Sequence, residues 1–387
     1  MSSVVNAGPP DVRTLAAAQS DRDVHDYPRS VSSTTADSRL TIVGSLVGSA
    51  GLVWLLYTQV LPFSGPIGFL ICWYVVYVLM FTAVTAIAHP RPIVVDRLWT
   101  AVITGAAVIV AAALVSAVAF VVVRGWAAVH HLNFFTQAQS SGSPTAPLNQ
   151  GGILNAIVGS AIELTIATVI SLPLGIGAAI YMSEVGGRFA RVVRTVVEAM
   201  TSLPDILAGL FIYTVLIVAL GLPRSGLAAG VALSVMMLPY VARSADVALR
   251  VVPGGLREAG LALGASQWRT VWRVVLPTQR SGLLTAVILG MARAVGETAP
   301  VLITSGASTF INPTWSQLFS CFGIGNAGCA PVDYPMNSLP LYIYTAVRSG
   351  EPQFIERGFG AGIVLLAMVL ILFGTARFLS RNKVGRR

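Results

Sequence analysis

PGGLREAGLALGASQWRTVWRVVLP, residues Pro253 to Pro277, is a long charged, amphipathic island between two apolar runs of bilayer length. Leu256, Ala259 and Leu263 share one face of a helix that Gly264 can end. Ser266 can cap a second helix carrying Trp268, Val271, Trp272 and Val275, and Pro277 is expected to stop it. Arg257, Arg269 and Arg273 lie off the apolar stripe. Two short helices joined at a glycine are therefore expected, presenting aromatic anchors ringed by positive charge to a partner.

The runs around the island decide the fold class. Of 387 residues, 55% are hydrophobic and only 11% charged, with a mean hydropathy of +0.76. A soluble domain carries about 25% charged residues, so this is an all-α polytopic membrane protein. Among the 25 basic residues every one but Lys383 is arginine, and Lys383 is followed by Val384. That excludes a Walker A phosphate loop, which needs Gly-Lys-Ser/Thr, so any ATP chemistry belongs to another chain and this one is expected to be no enzyme.

The net charge of +9 does not indicate nucleic acid, because the arginines sit beside apolar spans rather than along a soluble groove. Three cysteines are too few for a disulfide framework, and Cys72 lies in an apolar run where it packs. No metal site is expected: His130 and His131 are adjacent rather than on one helical face, and His25 and His89 are isolated.

Residues 1–39 are polar and aperiodic and are expected to form a disordered cytoplasmic tail; the first apolar run begins too late for a signal peptide. Apolar spans follow at about 41–62, 67–88, 98–123, 153–182, 195–220, 226–247, 280–305 and 358–379, about eight in all. With the island in the cytoplasm, both termini are inside. The arginines agree: Arg91, Arg97, Arg188, Arg191, Arg194 and Arg377 fall inside, while only Arg124, Arg224, Arg348 and Arg357 fall outside.

The island resembles the EAA signature of ABC importer permeases: Glu258, Ala259, Gly260, three residues, Gly264, nine residues, Val274, one residue, then Leu276 and Pro277. Gly260 stands where that signature usually has alanine. The resemblance implies a type I importer permease core over 98–387, with two extra N-terminal helices and a link over 40–97. It also implies that the hairpin at 253–277 docks on an ATP-hydrolysing subunit through Glu258, Ala259, Gly260, Gly264, Trp268, Leu276 and Pro277.

From about residue 98 onward the chain is similar to the permeases of the bacterial phosphate-specific (Pst) system, and among them to the A-type subunit. FFTQ at 134–137, NQGGILNAIVGS at 149–160, PLGIGAAIYMSE at 173–184, LPYVARSADVALRVVPGGLREAGLALGAS at 238–266 and ARAVGETAPVLIT at 292–304 carry this likeness. It implies a homologous permease, two copies of a cytoplasmic ATPase that holds ATP and Mg, an extracytoplasmic phosphate-binding protein, and a multi-pass place in the bacterial inner membrane. The chain itself is expected to hold no cofactor. A permease for sulfate, molybdate or an organic solute shares the island, and an ATP-independent carrier or a phosphate-sensing scaffold are the remaining rivals.

Arg293 and Glu297, at i and i+4, are expected near the middle of the seventh span. An ionised side chain at a membrane helix centre costs about 2.5 to 3.5 kcal/mol, so both should face protein or water and either line a translocation path or pair two helices. Arg243 is a further path candidate and equally a snorkelling residue. Glu163, in the fourth span, departs from the family pattern and should be paired or turned away. Asp205, after Pro204, stands where the family usually has serine, in a span that proline and Gly209 can kink. Cys321 and Cys329, in an outer loop of an oxidising compartment, invite a disulfide.

Overall fold

A computed structural model describes residues 36–60, 65–311 and 334–380, and every regular element among them is a helix. The expected tail over residues 1–35 and the Cys321–Cys329 pair lie outside the described residues. The described residues form two compact units, divided between Leu114 and Val115 inside one helix.

In the first unit, α1 (Ala36–Leu55) runs into a widened turn at Leu56–Val60 and is followed by α2 (Pro66–Ala88). The indole N–H of Trp73 donates to the Leu46 carbonyl at 3.2 Å and to Ser49 Oγ at 3.1 Å, tying α2 to α1. Helix α3 (Arg91–Val129) has 39 residues and absorbs both the expected link over 91–97 and the third span. At about 1.5 Å per residue it is roughly 58 Å long, far more than a bilayer core of about 30 Å.

The second unit contains α4 (Leu154–Ile180), α5 (Gly187–Thr201), α6 (Asp205–Ile212), α7 (Gly226–Arg250), α8 (Gly254–Ala262), α9 (Gln267–Thr270), α10 (Arg280–Val295), α11 (Ala299–Thr304), α12 (Leu339–Arg348) and α13 (Pro352–Ser380). Helix α7 is the most buried of the long apolar helices. Ala167 and Leu164 of α4, Ala229, Leu233, Met237 and Val241 of α7, and Val287 and Ala294 of α10 share one core cluster. Small residues there let the helices approach closely, which drives packing when lipid is as apolar as the side chains. Ser171 donates to the Ser234 carbonyl at 3.0 Å across the same interface.

Among the described residues six helices are long and apolar enough to cross a membrane, and eight spans result if each of two bent pairs counts as one. The expected span at 195–220 is not a single helix. Helices α5 and α6, the latter prolonged to Ala219, meet at 103° across Ser202–Pro204, because Pro204 is extended (ψ 134°) and disfavours helix in the residue before it. The expected span at 280–305 is also broken: α10 ends at Val295 and α11 begins at Ala299, leaving Glu297 in the gap. Arg293 is thus in the last turn of α10 rather than mid-helix.

At the Leu154 end of α4, Arg357 is 3% exposed. Its guanidinium donates to the carbonyls of Ser143 at 3.2 Å and of Ala146, Pro147 and Gln150 at 2.8 Å each, fastening the preceding loop to α13. Burial pushes the hydroxyl pKa of neighbouring Tyr342 up, and the Arg357 charge opposes that.

Candidate functional site

The amphipathic island folds as two helices joined at a glycine. Helix α8 ends at Ala262, and Gly264 takes φ +79°, a left-handed conformation that disfavours side chains. The Ser266 hydroxyl accepts from the Arg269 N–H at 3.3 Å and caps α9. Past Thr270 the helix widens at Val271–Val275 and continues through Leu276–Thr278. The helix ends one residue past Pro277, at Thr278, and the chain bends by 74° across Gln279 into α10.

A Cβ at Gly260 would lie 2.9 Å from Thr270 Cγ2 and 3.0 Å from its Oγ1. Thr270 is buried, so the alanine usual in the signature would displace it. Glycine at 260 thus goes with threonine at 270.

Val271 and Val275 are buried with Ala179, Ile180 and Leu249, whereas Trp268 and Trp272 are 61% and 54% exposed, edge to face at 5.7 Å. One detail of the expected surface is overturned. Arg257 does not join a positive rim. Its Nη2 lies 2.8 Å from Glu184 Oε1, and it also donates to the carbonyls of Val252 at 2.7 Å and Leu249 at 2.9 Å. Gln267 donates to the Glu184 carbonyl. Arg257 thus fastens the hairpin to the end of α4, and Leu256, Leu261, Leu263 and both tryptophans are exposed.

Replacing Gly264 by valine should cost about 1–2 kcal/mol at this left-handed residue, while Gly264→Asn should cost less. Amide exchange over residues 254–278 is expected to run roughly tenfold faster in the valine variant, by the usual decade per 1.4 kcal/mol. Equal exchange in all three proteins would remove the constraint.

A second site lies where the two helix breaks meet. Arg293 pairs with Glu297 one turn on and with Asp205, 88 residues away at the first position of α6. Its guanidinium also sits over the Tyr240 ring at 5.7 Å. Side-chain exposures are 38% for Arg293, 33% for Asp205 and 10% for Glu297, so the arginine and Asp205 are accessible while Glu297 is largely enclosed. Two carboxylates face one guanidinium, and the cluster is net negative.

Arg243 does not join this cluster. It lines a separate cavity of about 220 Å³ with Arg194, Glu198, Asp246 and Arg250, one turn along α7 from Tyr240. There Asp246 takes Arg250 at 3.1 Å and Arg194 at 3.6 Å. Glu163 is 1% exposed and accepts from the Ser305 hydroxyl at 2.8 Å, so it is paired inside the bundle. Among the described residues no group of three or more metal-ligating side chains occurs.

Sequence reasoning misses the partners of Asp205 and Glu184. An acidic residue directly after a proline in an apolar run is the one signal for the first; the second has none, since its partner lies 73 residues away.

The family model described as "Binding-protein-dependent transport system inner membrane component" matches residues 171–384. The phosphate transport system permease protein PstA of Mycobacterium leprae (strain TN) is 38% identical over 274 residues, covering 70% of this chain and 84% of that protein. PstA 1 of Mycobacterium tuberculosis (strain ATCC 25618 / H37Rv) is 37% identical over 250 residues, covering 64% and 75%. A probable PstA of Methanocaldococcus jannaschii is 33% identical over 241 residues, covering 62% and 80%. With a family match over more than half of its length and relatives this similar over most of theirs, the chain belongs to the binding-protein-dependent transport system inner membrane components and, among them, to the PstA-type permeases.

Proposed function

We propose that this chain is the permease subunit of an ATP-driven importer of inorganic phosphate. The observation that carries the reading is the hairpin: in a chain 38% identical to a PstA protein, it is fastened from within by Arg257 and Glu184 and offers two exposed tryptophans outward. Exposed aromatic anchors on a rigid base are what a docking partner's groove recognises. A homologous permease completes the path, two copies of an ATPase carrying ATP and Mg dock on the hairpins, and an extracytoplasmic protein delivers phosphate. The chain breaks no bond itself. Both termini and the hairpin face the cytoplasm in this reading, as the arginine distribution favours.

Transport follows as alternating access. Movement of the ATPase subunits pushes the hairpin, which is tied to the ends of α4 and α7 by the contacts of Arg257, so these helices move with it as a body. Arg293, at the junction of two broken helices, offers a planar fork of donors to phosphate oxygens.

The test uses the complete complex in liposomes, with the binding protein loaded with phosphate or with sulfate. Phosphate should stimulate ATP hydrolysis and enter the lumen, and sulfate should do neither. Stimulation by sulfate or by neither anion would overturn the cargo assignment.

A further inference from the structure

The pairing of Arg293 leaves little of its guanidinium for a substrate. One side meets Glu297 and the other meets Asp205, with the Tyr240 ring against its face. Asp205 also lines a cavity of only about 20 Å³, with Met200, Thr201, Leu203, Ala208 and Tyr240 among its walls, which holds no more than a water. Both terminal nitrogens of the guanidinium are engaged by carboxylates in this arrangement. An oxyanion that takes the two-nitrogen fork must displace a carboxylate from it.

The two carboxylates differ in their freedom to leave. Glu297 is one-tenth exposed and lies four residues from Arg293 in the chain. Asp205 is one-third exposed, comes from a different helix, and occupies the first turn of α6 directly after the break at Pro204. A carboxylate in a helix's first turn is favoured by the free N–H groups there, so Asp205 keeps a stabilising environment after releasing the arginine.

We propose that Asp205 is a tethered competitor of the transported anion. Its carboxylate holds the Arg293 fork when the path is empty, the phosphate oxyanion takes its place on that fork during passage, and its return expels the phosphate. The exchange trades one charge-assisted pair for another, so the arginine attracts phosphate without trapping it. The proposal rests on the phosphate-permease reading given above.

The test is equilibrium binding of radiolabelled inorganic phosphate to the purified full complex without the binding protein, alongside uptake and thermal unfolding, for wild type, Asp205→Asn and Asp205→Glu. Asparagine keeps the shape and removes the charge, so Asp205→Asn should bind phosphate about tenfold more tightly, the low end of what a hydrogen bond to a charged group is worth, and should turn over more slowly. Asp205→Glu should stay near wild type. If wild type transports phosphate while Asp205→Asn binds it no more tightly, or merely unfolds at lower temperature, Asp205 is only a helix clasp and the proposal falls. If wild type transports no phosphate at all, the underlying reading falls first.

Discussion

Arg293→Ala should lower phosphate uptake by the complete complex on the order of 100-fold with membrane levels unchanged. The change removes the fork that meets the anion, an interaction worth about 1.5–3 kcal/mol for hydrogen bonds to charged groups. It also leaves Asp205 and Glu297 as carboxylates with no cation between them, on the path proposed above for the anion. Repulsion at about 4 Å amounts to roughly 4 kcal/mol at an effective dielectric of 20, reduced by the partial exposure of Asp205. Arg293→Lys keeps the charge but not the planar fork, so uptake should fall less, about tenfold by the decade per 1.4 kcal/mol. Initial rates of labelled phosphate entry decide the matter. Wild-type rates in the alanine variant, with a lowered unfolding temperature, would reduce Arg293 to a pin between α6 and α10.

Arg257→Ala should uncouple the hairpin. Glu184 has 6% of its side chain exposed, against 26% for Arg257. Removing the arginine strands that carboxylate and frees the carbonyls of Leu249 and Val252 at the C-terminal end of α7. Breaking a buried pair costs about 3–5 kcal/mol, and the quarter exposure of Arg257 brings the expectation to about 2–3 kcal/mol. Uptake should fall at least about tenfold, and amide exchange over residues 254–278 should quicken by a similar factor or more. Adding Glu184→Gln should recover part of the loss, because the stranded charge is then gone. Wild-type exchange and uptake in Arg257→Ala would show that the hairpin is held by its buried valines alone.

Local chemistry made much of this protein readable from its sequence. Composition and run length determined an all-α membrane chain, since about 20 apolar residues are needed to cross a bilayer whatever the tertiary arrangement. The hairpin was legible because its determinants are near neighbours: Gly264 permits the left-handed turn and Ser266 caps the helix that follows. The signature spacing from Glu258 to Pro277, with the stretches around GETAP, carried the family. Proline at 204 announced a kink, though not a bend of 103°.

Only the tertiary structure decided which charges meet. Arg257 with Glu184, Arg293 with Asp205, and Ser305 with Glu163 join residues 73, 88 and 142 positions apart. Each depends on how far a helix is rotated about its axis, and a span that is apolar all round carries no periodic stripe to set that rotation. The same holds within the hairpin, where Trp268 and Val271 are equally apolar on paper. Packing against Ile180 and Leu249 buried the valine and left the tryptophan outside.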